Sequence, residues 1–393
     1  MTFSKKKIKI LRLVASIDPK YGGPQNGIIS SNAQLIKSGF KIDMVAFDPK
    51  KLINNEYKNI KIINFRSFIG KNYRFSLKFF FWLWKKRKDY EFFIVHGIWQ
   101  FNSLAARLLL ANKKYFVFTH GQLDPYFSLE FFKKIKKKIY WNLIEKKNLI
   151  KSQAILLTSN DEKINLKNTY VNTNKIKKKI IKYGIIKKKL NNQKCVNIFQ
   201  SKFSFLNNKK FYLFLGRFHE KKGCETIINS VIKLKDKFNS KILFSGPIEN
   251  YSYFKFLKEL VKKNNLGDTI FFSGPIYKNL KWGAILSSKG MLLASHGENF
   301  GISIAESLSQ SKPVLITNKV NIYKNIAKYK AGLVSSNNIS SFSKKLLKFQ
   351  ELNLIEQNKM SKNALKCFKD NFDISSHTNS LANLLKKEFA KKN

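Results

Sequence analysis

A chain of 393 residues, 44% hydrophobic and 14% aromatic, has material for more than one packed core. Single cores rarely grow beyond about 250–300 residues, so two domains are expected. Three widely spaced cysteines, Cys195, Cys224 and Cys367, exclude a disulfide framework and a cysteine-built zinc site, and a reducing cytoplasm is the expected setting. The net charge of +51 invites nucleic acid or an anionic membrane as partner. Lys, Asn, Ile and Phe are inflated together, however, as a very AT-rich genome would produce, and no nucleic-acid recognition motif accompanies the charge.

The basic N-terminus leads into a short apolar run broken by Arg12, so Ile8 to Ile17 reads as a first strand rather than a signal peptide. Gly22-Gly23-Pro24 is a glycine loop, and Gly27 to Ser38 the helix after it. Strands follow at Ile42 to Phe47 and Phe92 to Val95, the latter ending at His96-Gly97. Ser103 to Asn112 is a helix, and Tyr115 to Thr119 a strand ending at His120-Gly121. Further strands are expected at Ala154 to Thr158 and Ile180 to Ile185. Around Lys187 to Lys209 the apolar pattern dissolves into Lys and Asn, and a domain linker is expected there. The alternation then resumes, with strands at Phe211 to Leu215, Lys241 to Ser245, Thr269 to Ser273, Gly290 to Ala294, Pro313 to Thr317 and Gly332 to Val334. Two helices after Ile339 finish the chain. Strands alternating with helices predict parallel, doubly wound sheets.

Two strand-to-helix turns in the second half carry chemistry. Gly216-Arg217 closes one strand, and Lys222-Gly223 opens the helix Glu225 to Lys235. A guanidinium and an ammonium at one turn can neutralise a diphosphate without a metal. The second turn is Glu298-Asn299-Phe300-Gly301, followed by a small-residue helix bearing Glu306 and stopped by Pro313. A helix starting near Gly301 offers free N–H groups to a phosphate, and two carboxylates eight positions apart suit sugar hydroxyls. No Asp-x-Asp stands at a strand end, no P-loop is present, and Gly22-Gly23-Pro24 does not provide the dinucleotide fingerprint. No metal site is expected.

Here the chain resembles the retaining glycosyltransferases of family 4. The matching pieces are Glu298 to Glu306, Gly216-Arg217 with Lys222-Gly223, Gly22-Gly23-Pro24 and Thr119-His120-Gly121, in the expected order. The resemblance implies an α/β GT-B fold, two Rossmann-like doubly wound domains facing a central cleft. Residues 1–190 would form the acceptor side and 191–370 the nucleotide-sugar domain, with 371–393 as a helix crossing back to the first. It also implies roles. Arg217 and Lys222 hold the departing diphosphate. Glu298 contacts the donor sugar, Glu306 the ribose, and Asn299, Phe300 and Gly301 line the donor loop. Gly22 and Gly23 let a phosphate approach the backbone, and His120 orients the sugar or polarises the reaction centre. His96 and Asp124 are acceptor-side candidates. No cofactor is implied beyond the nucleotide-sugar donor substrate. Lys221 is expected in water, and Gly184, preceded by Tyr183, is expected only as a turn.

Two basic, aromatic segments, Arg74 to Tyr90 and Phe127 to Ile150, suit either core-facing helices with wet lysine faces or helices lying on a membrane. The run Phe79 to Trp84 falls far short of the ~20 residues that span a bilayer. The resemblance implies as partners a nucleotide-sugar donor and a saccharide or lipid-linked saccharide acceptor in surface polysaccharide or glycolipid assembly; the basic segments add an anionic membrane surface on the cytoplasmic side, and no nucleic acid is expected. The contrasting class is a non-enzymatic basic protein binding membrane or nucleic acid.

Overall fold

The computed structural model describes residues 7–18, 23–48, 60–67, 73–123, 131–166, 173–181, 184–374 and 380–391. The chain divides between Tyr183 and Gly184, and His377–Asn393 groups with the first unit. The division precedes the Lys- and Asn-rich stretch expected as the linker.

The first unit runs β1 (Lys9–Leu13), α1 (Gly23–Lys37), β2 (Lys41–Ala46), β3 (Lys61–Asn64), α2 (Leu77–Lys86), β4 (Phe92–His96), α3 (Phe101–Leu109), β5 (Lys114–Phe118), α4 (Phe131–Tyr140), α5 (Lys146–Lys151), β6 (Ala154–Leu157), α6 (Asn160–Asn165) and β7 (Lys178–Ile180). A π-helical turn, Trp141–Glu145, joins α4 to α5. All seven strands are parallel in the order β3-β2-β1-β4-β5-β6-β7. Continuous apolar strands such as Phe92–His96 are buried along their whole length, as a sheet covered on both faces requires. One face packs on α2, α3 and the Trp141–Leu149 segment.

The second unit continues α7 (Asn192–Lys202), β8 (Phe211–Leu215), α8 (Cys224–Leu234), β9 (Lys241–Ser245), α9 (Tyr251–Lys263), β10 (Ile270–Phe272), α10 (Lys278–Ser287), β11 (Gly290–Leu293), α11 (Ile302–Ser309), β12 (Val314–Thr317), α12 (Tyr323–Tyr329), β13 (Gly332–Ser335), α13 (Ile339–Glu351) and α14 (Leu354–Asn371). Its six parallel strands are ordered β10-β9-β8-β11-β12-β13. The order reverses direction between β8 and β11, the switch point where open α/β sheets bind ligands. The last helix, α15 (Ser380–Ala390), buries Leu381, Ala382 and Leu385 against the first unit's other sheet face, beside α1.

Several expectations change. The supposed linker holds α7, whose first turn is capped by Asn191 accepting from Lys194 N at 3.0 Å. Only Cys195 and Phe199 of this helix are buried, which is why the apolar pattern looked dissolved. The strand expected over 180–185 sits at Lys178–Ile180, and β3, four residues long, was not anticipated. Three helices, not two, follow Ile339, because the Asn353/Glu356 capping box starts a new helix directly after α13. Arg12, which breaks the apolar run of the first strand, is fully buried within that strand, and its Nη1 donates to Ile28 O at 3.3 Å and Ser31 Oγ at 3.0 Å.

Candidate active site

In the second unit the loops after β8, β11 and β12 are tied together by their own backbones. His296 N and Ser295 Oγ both donate to Lys221 O, at 2.9 and 2.8 Å, and Glu298 N donates to Lys319 O at 3.0 Å. Gly223 makes this approach possible. It sits at φ +69, and a Cβ there would collide with the Ala294 carbonyl. Gly301, at φ +71, then turns the chain into α11. No side chain caps that helix, so its first N–H groups are available to a ligand.

Five predicted side chains, Arg217, Lys222, Glu298, Asn299 and Phe300, lie on these loops, and Glu306 follows in α11. The Lys222 ammonium pairs with Glu298 Oε2, both side chains being more than four-fifths buried. Arg217, half exposed, pairs through Nη1 with both oxygens of Glu249 at 2.5 and 2.6 Å. Glu306 is buried in α11 and accepts from Lys281 Nζ at 2.6 Å. Phe300 is buried edge-on against Phe372, and Asn299 accepts from Asn321 Nδ2 at 3.4 Å. Lys221 is half-buried rather than out in water.

Burial alone would raise the Glu298 carboxyl. The Lys222 ammonium outweighs it by charge and hydrogen bond, with Lys221 and Arg217 adding to the effect, and holds the group below its usual range. Glu298 is therefore an anion at neutral pH, within the field of three cations. The two cations expected to meet a diphosphate are each paired with a carboxylate. Glu249 and Lys281 were missed from the sequence, since neither belongs to a motif and both reach the site only through packing of neighbouring loops and helices.

In the first unit, His96 ends β4 and His120 follows β5. His96 Nδ1 and His120 Nε2 lie 2.9 Å apart, and the two rings stack at 5.2 Å, each also against Phe118. Burial first, and then the Arg12 charge, push the His120 pKa down to about 4 and that of His96 well below its usual value. Both imidazoles are neutral at pH 7, which suits hydrogen bonding rather than charge pairing. Gly23 opens α1, while Gly22 and Asp124 lie outside the described residues.

Two family models match the chain. One, described as Glycosyltransferase Family 4, covers residues 21–185, and the other, Glycosyl transferases group 1, covers 197–366. No curated protein sequence matches. Among solved structures, a glycosyltransferase from Rickettsia africae is 20% identical with a TM-score of 0.74, covering 99% of this chain and 100% of its own. Sucrose-phosphate synthase from Thermosynechococcus elongatus is 16% identical with a TM-score of 0.77, covering 98% and 100%. HepE from Anabaena, in complex with UDP and glucose, is 14% identical with a TM-score of 0.75, again covering 98% and 100%. With the family matches taking in most of both units and the structural likenesses extending over almost the whole chain, the protein is a family-4-like glycosyltransferase of the GT-B fold.

Proposed function

We propose that the protein moves a sugar from a nucleotide diphosphate donor to an acceptor hydroxyl, retaining configuration and needing no divalent metal. The observation that carries this reading is the Lys222–Glu298 pair at the β8/β11 switch point, with Arg217 near enough to bias the same carboxylate. Two fixed cations stabilise negative charge developing on a departing diphosphate, and the uncapped start of α11 adds backbone donors. The sugar–diphosphate bond breaks, and the acceptor oxygen bonds the sugar carbon on the same face. The acceptor proton passes to a diphosphate oxygen. Glu298, released from Lys222, takes sugar hydroxyls, Glu306 takes the ribose, and His120 contributes a neutral hydrogen-bonding ring. The bound UDP and glucose in the Anabaena protein make UDP-glucose the first donor to test. A nucleoside diphosphate at about 100 times its Kd should stabilise the fold by about 2.7 kcal/mol and raise the melting temperature by a few degrees. Turnover of the matching nucleotide sugar should survive chelator. Activity abolished by chelator and restored by magnesium would remove Arg217 and Lys222 from this role.

The acceptor we propose is a saccharide or lipid-linked saccharide of surface polysaccharide or glycolipid assembly, met at the cytoplasmic face of a membrane. Supporting this is an asymmetry in the first unit. The helices on one sheet face bury Phe79, Leu83, Trp141 and Leu149, as core-facing helices do, yet their outer sides are apolar too. Phe81 and Trp84 of α2, Leu108 of α3, and Ile139 and Leu143 of α4 and the π turn are all exposed. Exposed Lys78, Lys85, Lys88 and Lys138 stand among them. Among the described residues, α1 and α15 on the opposite face expose no large apolar side chain. Aromatics fringed by lysines suit the headgroup layer of an anionic membrane, and no helix among the described residues is long and apolar enough to cross one. The protein should co-sediment with phosphatidylserine-containing liposomes, less so as salt rises from 0.01 to 0.15 M and the Debye length shrinks from ~30 to ~8 Å. Phe81→Ser with Trp84→Ser should release it. Undiminished binding by that double variant, or no binding by the parent protein, would rule this surface out.

A further inference from the structure

The loop bearing His120 is held by a buried carboxylate from the neighbouring strand's end. Thr119 and Gln122 close a tight turn, Gln122 N donating to Thr119 O at 2.9 Å. Its two central residues, His120 and Gly121, both have positive φ, +49 and +73. Glycine adopts that conformation freely, whereas a residue with a Cβ does so only when its surroundings hold it there. The holding group is Glu162 on α6. Its Oε1 accepts from Thr119 Oγ1 at 3.0 Å and from Gly121 N at 3.2 Å, the residues immediately before and after His120. Its Oε2 accepts from Thr158 N at 2.8 Å and Thr158 Oγ1 at 3.0 Å, at the end of β6. Ser159 and Glu162 have capping-box spacing, and Ser159 Oγ does accept from Glu162 N at 3.0 Å. The glutamate, however, turns to Thr158 and across to the β5 loop. A carboxylate that is 7% exposed yet fully engaged by four donors across two strand ends is a built clamp.

We propose that Glu162 is a positioning residue for His120. By holding the Thr119 hydroxyl and the Gly121 N–H on either side of that histidine, it keeps the ring stacked on His96 with Nε2 committed to His96 Nδ1. Nδ1 is then the His120 ring nitrogen left for a ligand. Burial raises the Glu162 carboxyl above its usual range, and the four hydrogen bonds only partly offset this. Its consequence for turnover rests on the reading of His120 as a donor-sugar contact.

Glu162→Gln is the direct test, because the amide must set an NH2 group against either the Gly121 side or the Thr158 side. In imidazole 15N spectra, the parent protein should show one fixed His120 tautomer, and the Gln variant averaged ring-nitrogen shifts. In turnover, Glu162→Gln should lower kcat by roughly 10- to 100-fold with donor KM changed less than about threefold. In a His120→Ala background it should cost nothing further, since the ring it positions is gone. If Glu162→Gln does not fold, Thr119→Val removes one donor with little change of shape and should show the same shift averaging and non-additivity with a smaller loss. Unchanged His120 shifts, or losses that multiply in the double variant, would overturn the proposal. A parent protein that turns over no nucleotide sugar would defeat the proposed function, while the spectra would still decide whether Glu162 positions His120.

Discussion

Lys222→Ala should slow sugar transfer by roughly 30- to 1,000-fold, the cost of about 2–4 kcal/mol expected when a fixed donor to a developing oxyanion is lost. Lys221→Ala should cost under about 1 kcal/mol, a few-fold at most. Both residues are half-buried, so exposure does not separate them. Geometry does. The Lys222 ammonium is the one paired with Glu298, whereas Lys221 uses its carbonyl to accept from His296 N and Ser295 Oγ and reaches Glu298 only as a supporting charge. Its loop function survives truncation to Ala, because the backbone carbonyl remains. A second readout follows from the pair itself. Removing Lys222 strands a mostly buried carboxylate, so Lys222→Ala should also lower the melting temperature, and adding Glu298→Gln should restore part of it. A Lys221→Ala enzyme more damaged than Lys222→Ala would mean that the phosphate register is displaced by one residue.

The sheets were legible in the sequence because parallel strands buried on both faces read as unbroken apolar runs, as at Phe211–Leu215 and Val314–Thr317. The two strand-to-helix turns after β8 and β11 were legible because glycine marks them, at Gly223 and Gly301, where positive φ leaves little alternative. What the sequence concealed depends on distances between elements. Glu249 and Lys281 stand outside any motif and meet Arg217 and Glu306 only through packing. Arg12 interrupts the apolar run of its strand in the sequence, which gave no hint that it is a buried cation helping to keep His96 and His120 neutral. Helix α7 escaped notice because a helix that buries only Cys195 and Phe199 leaves too sparse a stripe to stand out among lysines. Glu162 carried a faint signal, the Ser159-x-x-Glu162 spacing, but that pattern foretells a cap and not a reach to the next strand end.

Glu306→Gln should weaken nucleotide binding, whereas Glu298→Gln should leave it intact or strengthen it. Glu306 is buried and accepts from Lys281 Nζ at 2.6 Å, and in the proposed reading its carboxylate also takes the ribose hydroxyls. Charge-assisted hydrogen bonds of this kind contribute about 1.5–3 kcal/mol, so Glu306→Gln should weaken nucleoside diphosphate binding by roughly 10- to 150-fold, with or without a sugar attached. Glu298 stands differently. Its carboxylate pairs with Lys222, so in the proposed reading a diphosphate competes with Glu298 for the ammonium. Neutralising Glu298 removes the competitor and also a nearby like charge, so Glu298→Gln should bind the sugar-free nucleoside diphosphate as well as the parent protein or better. The intact nucleotide sugar gains nothing comparable, because the carboxylate that would receive its hydroxyls has become a weaker, neutral acceptor. The ratio of nucleotide-sugar to nucleotide affinity should therefore fall in Glu298→Gln and stay near the parent value in Glu306→Gln. Titration calorimetry with UDP and UDP-glucose measures both ratios directly. Equal losses of both ligands in both variants would contradict this division of labour, and tighter UDP binding in Glu298→Gln would identify the Lys222–Glu298 pair as the contact that the donor diphosphate displaces.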